Sequence, residues 1–120
     1  MDTWLEARVP EREQVAREAV GSANAELGDV VERLSAFSDP TRLRLLIAIH
    51  AAPGAPVKDL AAATGLAANT VTQALVSLRA AGLVERTRDG RLARWAVSDA
   101  AAHQLLHHLG APHSSLHPPH

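Results

Sequence analysis

The chain has 120 residues, room for one hydrophobic core with tails. Apolar residues make up 47% and come mainly from Ala, Leu and Val, with Trp4, Phe37 and Trp95 as the only aromatics, a composition suited to closely packed helices. The absence of cysteine excludes a disulfide framework and a thiolate metal site, no run approaches the roughly 18 apolar residues of a membrane span, and the N-terminus lacks a signal-peptide core, so the expectation is a cytoplasmic protein with no membrane contact.

The formal net charge of −1 conceals a division. Residues 1–39 carry nine acids and four arginines, whereas residues 40–98 carry eight bases (Arg42, Arg44, Lys58, Arg79, Arg86, Arg88, Arg91, Arg94) against Asp59, Glu85 and Asp89. A chain arranged this way can present a basic face to phosphates while its total charge stays near zero. A solvated charge run is the alternative from charge alone.

Residues 11–25 are helix-permissive but weakly amphipathic, with Val15, Ala19 and Val20 the only plausible buried positions. Residues 1–26 therefore read as an N-terminal arm or helix whose order depends on tertiary partners. Leu27, Val30, Val31 and Leu34 follow i, i+3, i+4, i+7 spacing, which predicts a second helix to about Phe37. Asp39 then caps, and Pro40 opens, a third helix to about His50 that buries Leu43, Leu46 and Ile47. Pro53, Gly54 and Pro56 break the chain.

The next thirty residues carry most of the information. Val57 to Thr64 makes two helical turns with Leu60 and Ala61 inward, and Gly65 stands where a helix C-terminus takes a positive φ. Ala68 to Ala81 follows as a helix with Val71, Ala74, Leu75 and Leu78 on one face. Two helices joined by a short glycine-containing turn make a helix-turn-helix, whose second member fits a major groove about 12 Å wide. The outward positions Asn69, Thr70, Thr72, Gln73 and Ser77 are polar hydrogen-bonding side chains suited to base edges and phosphate oxygens, and Arg79 joins them as a candidate DNA contact.

After Gly82 the period changes from helical to alternating. Leu83 to Thr87 and Arg91 to Val97 flank Arg88-Asp89-Gly90, a hairpin signal. Ala93, Trp95 and Val97 share the inward face and Arg94 the outward one. Arg86, Arg88 and Arg91 lie near the tip of this wing, placed for phosphates or a minor groove. A short helix from about Asp99 to Leu109 and a His/Pro-rich tail, residues 110–120, complete the chain.

The fold class expected is mainly α with a small β-hairpin wing, a winged helix-turn-helix over residues 27–109. The segments Leu34-Ser-Ala-Phe-Ser-Asp-Pro-Thr-Arg-Leu-Arg-Leu-Leu46, Asp59-Leu-Ala-Ala-Ala-Thr-Gly-Leu66, Val71-Thr-Gln-Ala-Leu-Val-Ser-Leu-Arg-Ala-Ala-Gly-Leu-Val84 and Arg88-Asp-Gly-Arg91 together resemble the ArsR/SmtB family of metal-responsive repressors. The resemblance implies a homodimer held by its first and last helices, binding a palindromic operator in double-stranded DNA and releasing it when an effector binds. Two-fold symmetry fits that picture, since paired recognition helices about one DNA turn apart read two half-sites. This chain departs from the family at Ala74, where a histidine is common, at Ala67, where a Ser or Thr cap is common, and at Pro56-Val57-Lys58-Asp59, where many members carry thiols. A soft-metal or arsenite sensor is therefore not expected.

Six of the seven histidines (His103, His107, His108, His113, His117, His120) fall in the last eighteen residues. On a helix starting near Asp99, residues Asp99, His103 and His107 are successive i, i+4 neighbours on one face. His-x3-His on a helix can chelate one borderline ion, and an O/N donor set without sulfur suits nickel first, with cobalt or zinc as alternatives. His113 and His117 could complete a six-coordinate shell. The resemblance adds that nickel and cobalt sensors use last-helix and tail residues of these types, joined across the dimer, although their Asp-x-His start reads Asp99-Ala100-Ala101 here. The plainer alternative makes Asp99 a helix cap and the histidines solvated. His50 stands apart and reads as a helix C-terminal cation or an interface residue.

The function expected is a sequence-specific, metal-responsive transcriptional repressor. A metal-independent winged-helix regulator controlled by a small molecule or partner protein, and a winged-helix adaptor that contacts only protein, are the competing readings. An enzyme is not expected: there is no phosphate loop, no thiol nucleophile and no His-Glu-x-x-His arrangement.

Overall fold

The structure, a computed structural model, describes residues 9–109. His113 and His117, with the expected tail 110–120, lie outside the described residues. In chain order the elements are α1 (Val9–Ser38), α2 (Pro40–Ala51), α3 (Val57–Thr64), α4 (Ala68–Ala80), β1 (Val84–Asp89), β2 (Leu92–Val97) and α5 (Ala100–His108). The chain divides into two compact units, residues 1–32 and 33–120.

The described part of the first unit is helix throughout. The sequence pattern predicts two helices with a break near residue 26, but α1 runs unbroken through that point to Ser38. No proline interrupts residues 11–38, and Gly21 and Gly28 each cost only about 1 kcal/mol relative to alanine in a helix interior. The i, i+4 pairs Glu13–Arg17 at 2.7 Å and Gln14–Glu18 at 2.8 Å add local support. Val15, Val20, Leu27 and Val31 are at least half exposed, so this unit displays its larger apolar side chains instead of burying them.

The second unit is organised around α2. Asp39 Oδ2 accepts the Arg42 N–H at 2.9 Å and Pro40 occupies the first turn, so α2 starts where Asp-Pro predicts. Its buried set is Leu45, Leu46, Ile49 and His50, with Leu43 and Ile47 only half-buried. That is wider than the single expected stripe because α2 packs against α3, α4, β2 and α5. Around it close Leu60 of α3, Val71, Leu75 and Leu78 of α4, Trp95 of β2, and Ala102 and Leu106 of α5.

β1 and β2 pair antiparallel in the register Val84↔Val97, Arg86↔Trp95, Arg88↔Ala93. Gly90, at φ 61°, supplies the left-handed residue of the connecting turn. Trp95 donates its backbone N–H to Ala55 O at 3.2 Å and accepts from the Gly54 N–H at 2.8 Å, which ties β2 to the loop after α2. Among the described residues, no helix is long and apolar enough to cross a membrane.

Candidate nucleic-acid interface

Gly65, at φ 75°, closes α3 and donates its N–H to Ala61 O at 2.9 Å. The left-handed conformation turns the chain sharply, and a side chain there would be strained. Three residues later, at Ala68, α4 begins. It buries Val71, Leu75 and Leu78, and this fixes its rotation so that Asn69, Thr70, Thr72, Gln73, Ser77 and Arg79 all face solvent. Thr72 Oγ1 donates to Ala68 O at 3.0 Å, which leaves its oxygen lone pairs available as acceptors. Ala67 occupies the N-cap and contributes no side-chain bond to the first turn of α4.

Cross-strand partners share a sheet face, so Arg86 and Arg88 stand on the same face as Trp95 and Ala93. Arg86, Arg88 and the turn residue Arg91 are all exposed. Thr72, Val76, Arg79, Ala80, Arg86 and Trp95 border an open depression of about 390 Å³. Two guanidinium-bearing residues, one from α4 and one from β1, thus frame the seam between helix and hairpin. Guanidinium groups present planar forks of N–H donors that match phosphate oxygens.

Arg94 takes the face opposite Ala93, Trp95 and Val97, as expected, and is held there by two bonds: it donates from Nε to Asp89 Oδ2 at 2.8 Å and from a terminal nitrogen to Gly54 O at 3.0 Å. It fastens the wing to the loop after α2. The indole N–H of Trp95 is buried and has no hydrogen-bond partner among the described residues.

The predicted metal face lies on α5. Asp99 is its N-cap: Oδ2 accepts the Ala102 N–H at 2.8 Å, and Oδ1 lies 3.2 Å from an Arg33 nitrogen. His103 is half-buried and His107, one turn on, is exposed. The ring beside His103 belongs to His50, in the last turn of α2, with centroids 4.9 Å apart and planes inclined at 54°. His50 is buried to 1% exposure. Among the described residues, no group of three or more His, Asp or Glu is placed to hold a metal ion. Sequence reasoning misses the His50–His103 contact, because the two residues lie 53 positions apart and no local pattern links them.

Comparison with known proteins agrees with this geometry. Residues 39–94 match the MarR family. The HTH-type transcriptional regulator YgaV of Escherichia coli is 30% identical over 73 residues, which cover 61% of this chain and 74% of that protein. The HTH-type transcriptional regulator CmtR of Mycobacterium tuberculosis is 39% identical over 74 residues, 62% of each chain, so the match spans a little under two thirds of that relative. A homodimeric winged helix-turn-helix DNA-binding domain from Mycobacterium bovis, described as a possible ArsR-family transcriptional regulator, superposes with a TM-score of 0.65 at 25% identity, covering 72% of this chain and 80% of that one. These proteins are transcriptional regulators, not enzymes. With a helix-turn-helix, a two-stranded wing and these relatives, the chain belongs to the winged helix-turn-helix transcriptional regulators.

Proposed function

We propose that this protein is a cytoplasmic, homodimeric repressor that binds a palindromic operator and responds to a divalent transition metal, nickel first, with cobalt and zinc as alternatives. The observation that carries the DNA-reading part is the rigidly mounted polar face of α4 beside an arginine-bearing hairpin. In this reading Asn69, Thr70, Thr72, Gln73 and Ser77 contact bases and nearby phosphates, and Arg79, Arg86, Arg88 and Arg91 contact the backbone. Support for a dimer comes from large apolar side chains left at least half exposed in each unit, Leu27 and Val31 in the first, Leu34 and Leu109 in the second.

The proposed metal donors are Asp99, His103 and His107, joined by His113 and His117. Imidazole and carboxylate donors suit nickel, cobalt and zinc. Each oxygen of Asp99 keeps a second lone pair after its cap and ion-pair contacts, so capping and ligation are compatible. Because no three donors converge among the described residues, the set closes only with donors from beyond residue 109 or from a second copy. When bound, the ion would supply cross-linking of the last helix, which biases one dimer conformation over another.

A metal-independent regulator is the second reading. It is favoured by an open cavity of about 500 Å³ bordered by Ala52 to Pro56, Asp59, Leu60 and Arg94, where a small molecule could bear on the wing. Fluorescence anisotropy on a labelled duplex from upstream of the protein's own gene, with and without nickel at fixed salt, separates the two. A nickel-dependent change in affinity that disappears in a His103→Ala, His107→Ala double variant supports the metal sensor. Tight binding indifferent to nickel, cobalt and zinc removes the metal and leaves the DNA reader.

A further inference from the structure

We propose that His50 and His103 form a two-imidazole seat for one divalent transition ion at the seam between α2 and α5. This inference rests on the metal-responsive reading above and adds to it a ligand, His50, that lies outside the terminal histidine cluster.

The distance between the rings is the first argument. A metal–nitrogen bond of about 2.0–2.1 Å puts the centre of a ligating imidazole about 3.2 Å from the ion. Two such rings at about 90–110° to each other then have centres about 4.5–5.2 Å apart, the span from octahedral cis ligation to tetrahedral ligation. The observed 4.9 Å falls inside it, and the 54° inclination is that of neither a face-to-face stack nor an edge-on contact. Placement is the second. His50 is enclosed by the core, while His103 is half-buried, so the seat has a closed back and an open front through which a hydrated ion can exchange. The remaining positions of the ion are left to the other donors of the metal-responsive reading and to water.

Position in the fold gives the seat a consequence. α2 packs against both α3 and α4, the two helices of the DNA reader, and α5 packs against α2. An ion held by one histidine from each would tie the last helix to the helix that supports the reader, a direct route from effector to DNA affinity. The outer i, i+4 pair of His103 and His107 would leave the ion on α5 alone.

The test uses the full chain. Zinc sulfate is titrated into ¹⁵N-labelled protein while the imidazole nitrogens are followed by long-range proton–nitrogen correlation, and nickel chloride affinity is measured by calorimetry for the wild type, His50→Gln, His103→Gln, His107→Gln and the exposed control His108→Gln. The seat predicts zinc-induced nitrogen shifts at both His50 and His103, and a nickel affinity weakened at least tenfold, about 1.4 kcal/mol, by either His50→Gln or His103→Gln, with His108→Gln unchanged. Should His50→Gln fail to fold, the wild-type nitrogen shifts decide alone. Shifts confined to His103 and His107 or to the tail, or an undiminished nickel affinity in folded His50→Gln, overturn the seat and leave the metal sensor standing. A wild-type chain that binds neither ion removes both.

Discussion

Replacing Asp99 by alanine removes a helix cap and an ion pair that share one carboxylate, and the structure permits an estimate for each. Oδ2 caps α5 by accepting the Ala102 N–H at 2.8 Å; losing an aspartate N-cap costs about 1 kcal/mol within a range of about 0.5–2. Oδ1 lies 3.2 Å from Arg33, with the two side chains 17% and 38% exposed, and after allowance for solvent screening such a pair adds about 0.2–1 kcal/mol. The expected loss is therefore about 1.5 kcal/mol. It is measured by urea unfolding at one fixed protein concentration, where the midpoint should fall while the denaturant slope stays constant. Asparagine caps as well as aspartate, so Asp99→Asn should lose only the ion pair, about 0.5 kcal/mol. Arg33→Ala should match Asp99→Asn and add nothing in an Asp99→Ala background. A loss below about 0.3 kcal/mol for Asp99→Ala would refute Asp99 as the structural cap of the last helix, and full additivity with Arg33→Ala would refute the ion pair.

Three further outcomes follow from the same structure. Substituting both Arg88 and Arg91 by alanine should weaken duplex binding across sequences and reduce the slope of log affinity against log salt by about 2 per protomer, about 4 for a bound dimer, one for each phosphate no longer neutralised; an unchanged slope would remove the wing from the interface. Trp95→Ala should cost about 3–5 kcal/mol through the cavity it leaves. Trp95→Phe should cost less than half of that by thermal unfolding, because it also removes a buried N–H that lacks a partner; equal losses would show that the N–H is satisfied. Ala67→Ser places a hydroxyl at the uncapped start of α4 and should stabilise the chain by about 0.5–1 kcal/mol in the same assay, whereas no gain would place the hydroxyl out of reach of the first-turn N–H groups.

The DNA reader is legible in the sequence because its signals are local. Asp39-Pro40 starts α2, Gly65 ends α3, the spacing of Val71, Leu75 and Leu78 orients α4, and Asp89-Gly90 turns the hairpin; each acts within a few residues of itself. Sequence and structure part where distant contacts decide. The pattern divides α1 into two helices because residues 11–25 are only weakly amphipathic while Leu27, Val30, Val31 and Leu34 form a distinct stripe, yet nothing in the backbone forces a break. α2 is buried over a wider face than expected because four elements surround it, and its fully buried positions Leu45, Leu46, Ile49 and His50 are rotated from the expected Leu43, Leu46 and Ile47. Arg94 reaches Gly54, forty residues away, and His50 meets His103 across two helices; neither contact has a sequence signature. The motifs that resemble ArsR/SmtB repressors and the MarR match over residues 39–94 fall on the same helix-turn-helix and hairpin, so they agree on the fold and say nothing of the effector.

The most direct test of the central claim is chemical-shift mapping of ¹⁵N-labelled protein titrated with a duplex from upstream of its own gene. The account predicts salt-sensitive shifts concentrated in the exposed residues of α4, from Asn69 to Arg79, and in the hairpin from Arg86 to Arg91, with the buried face of α4 little changed. Shifts confined to other elements, or no salt-dependent binding to any duplex, would contradict it.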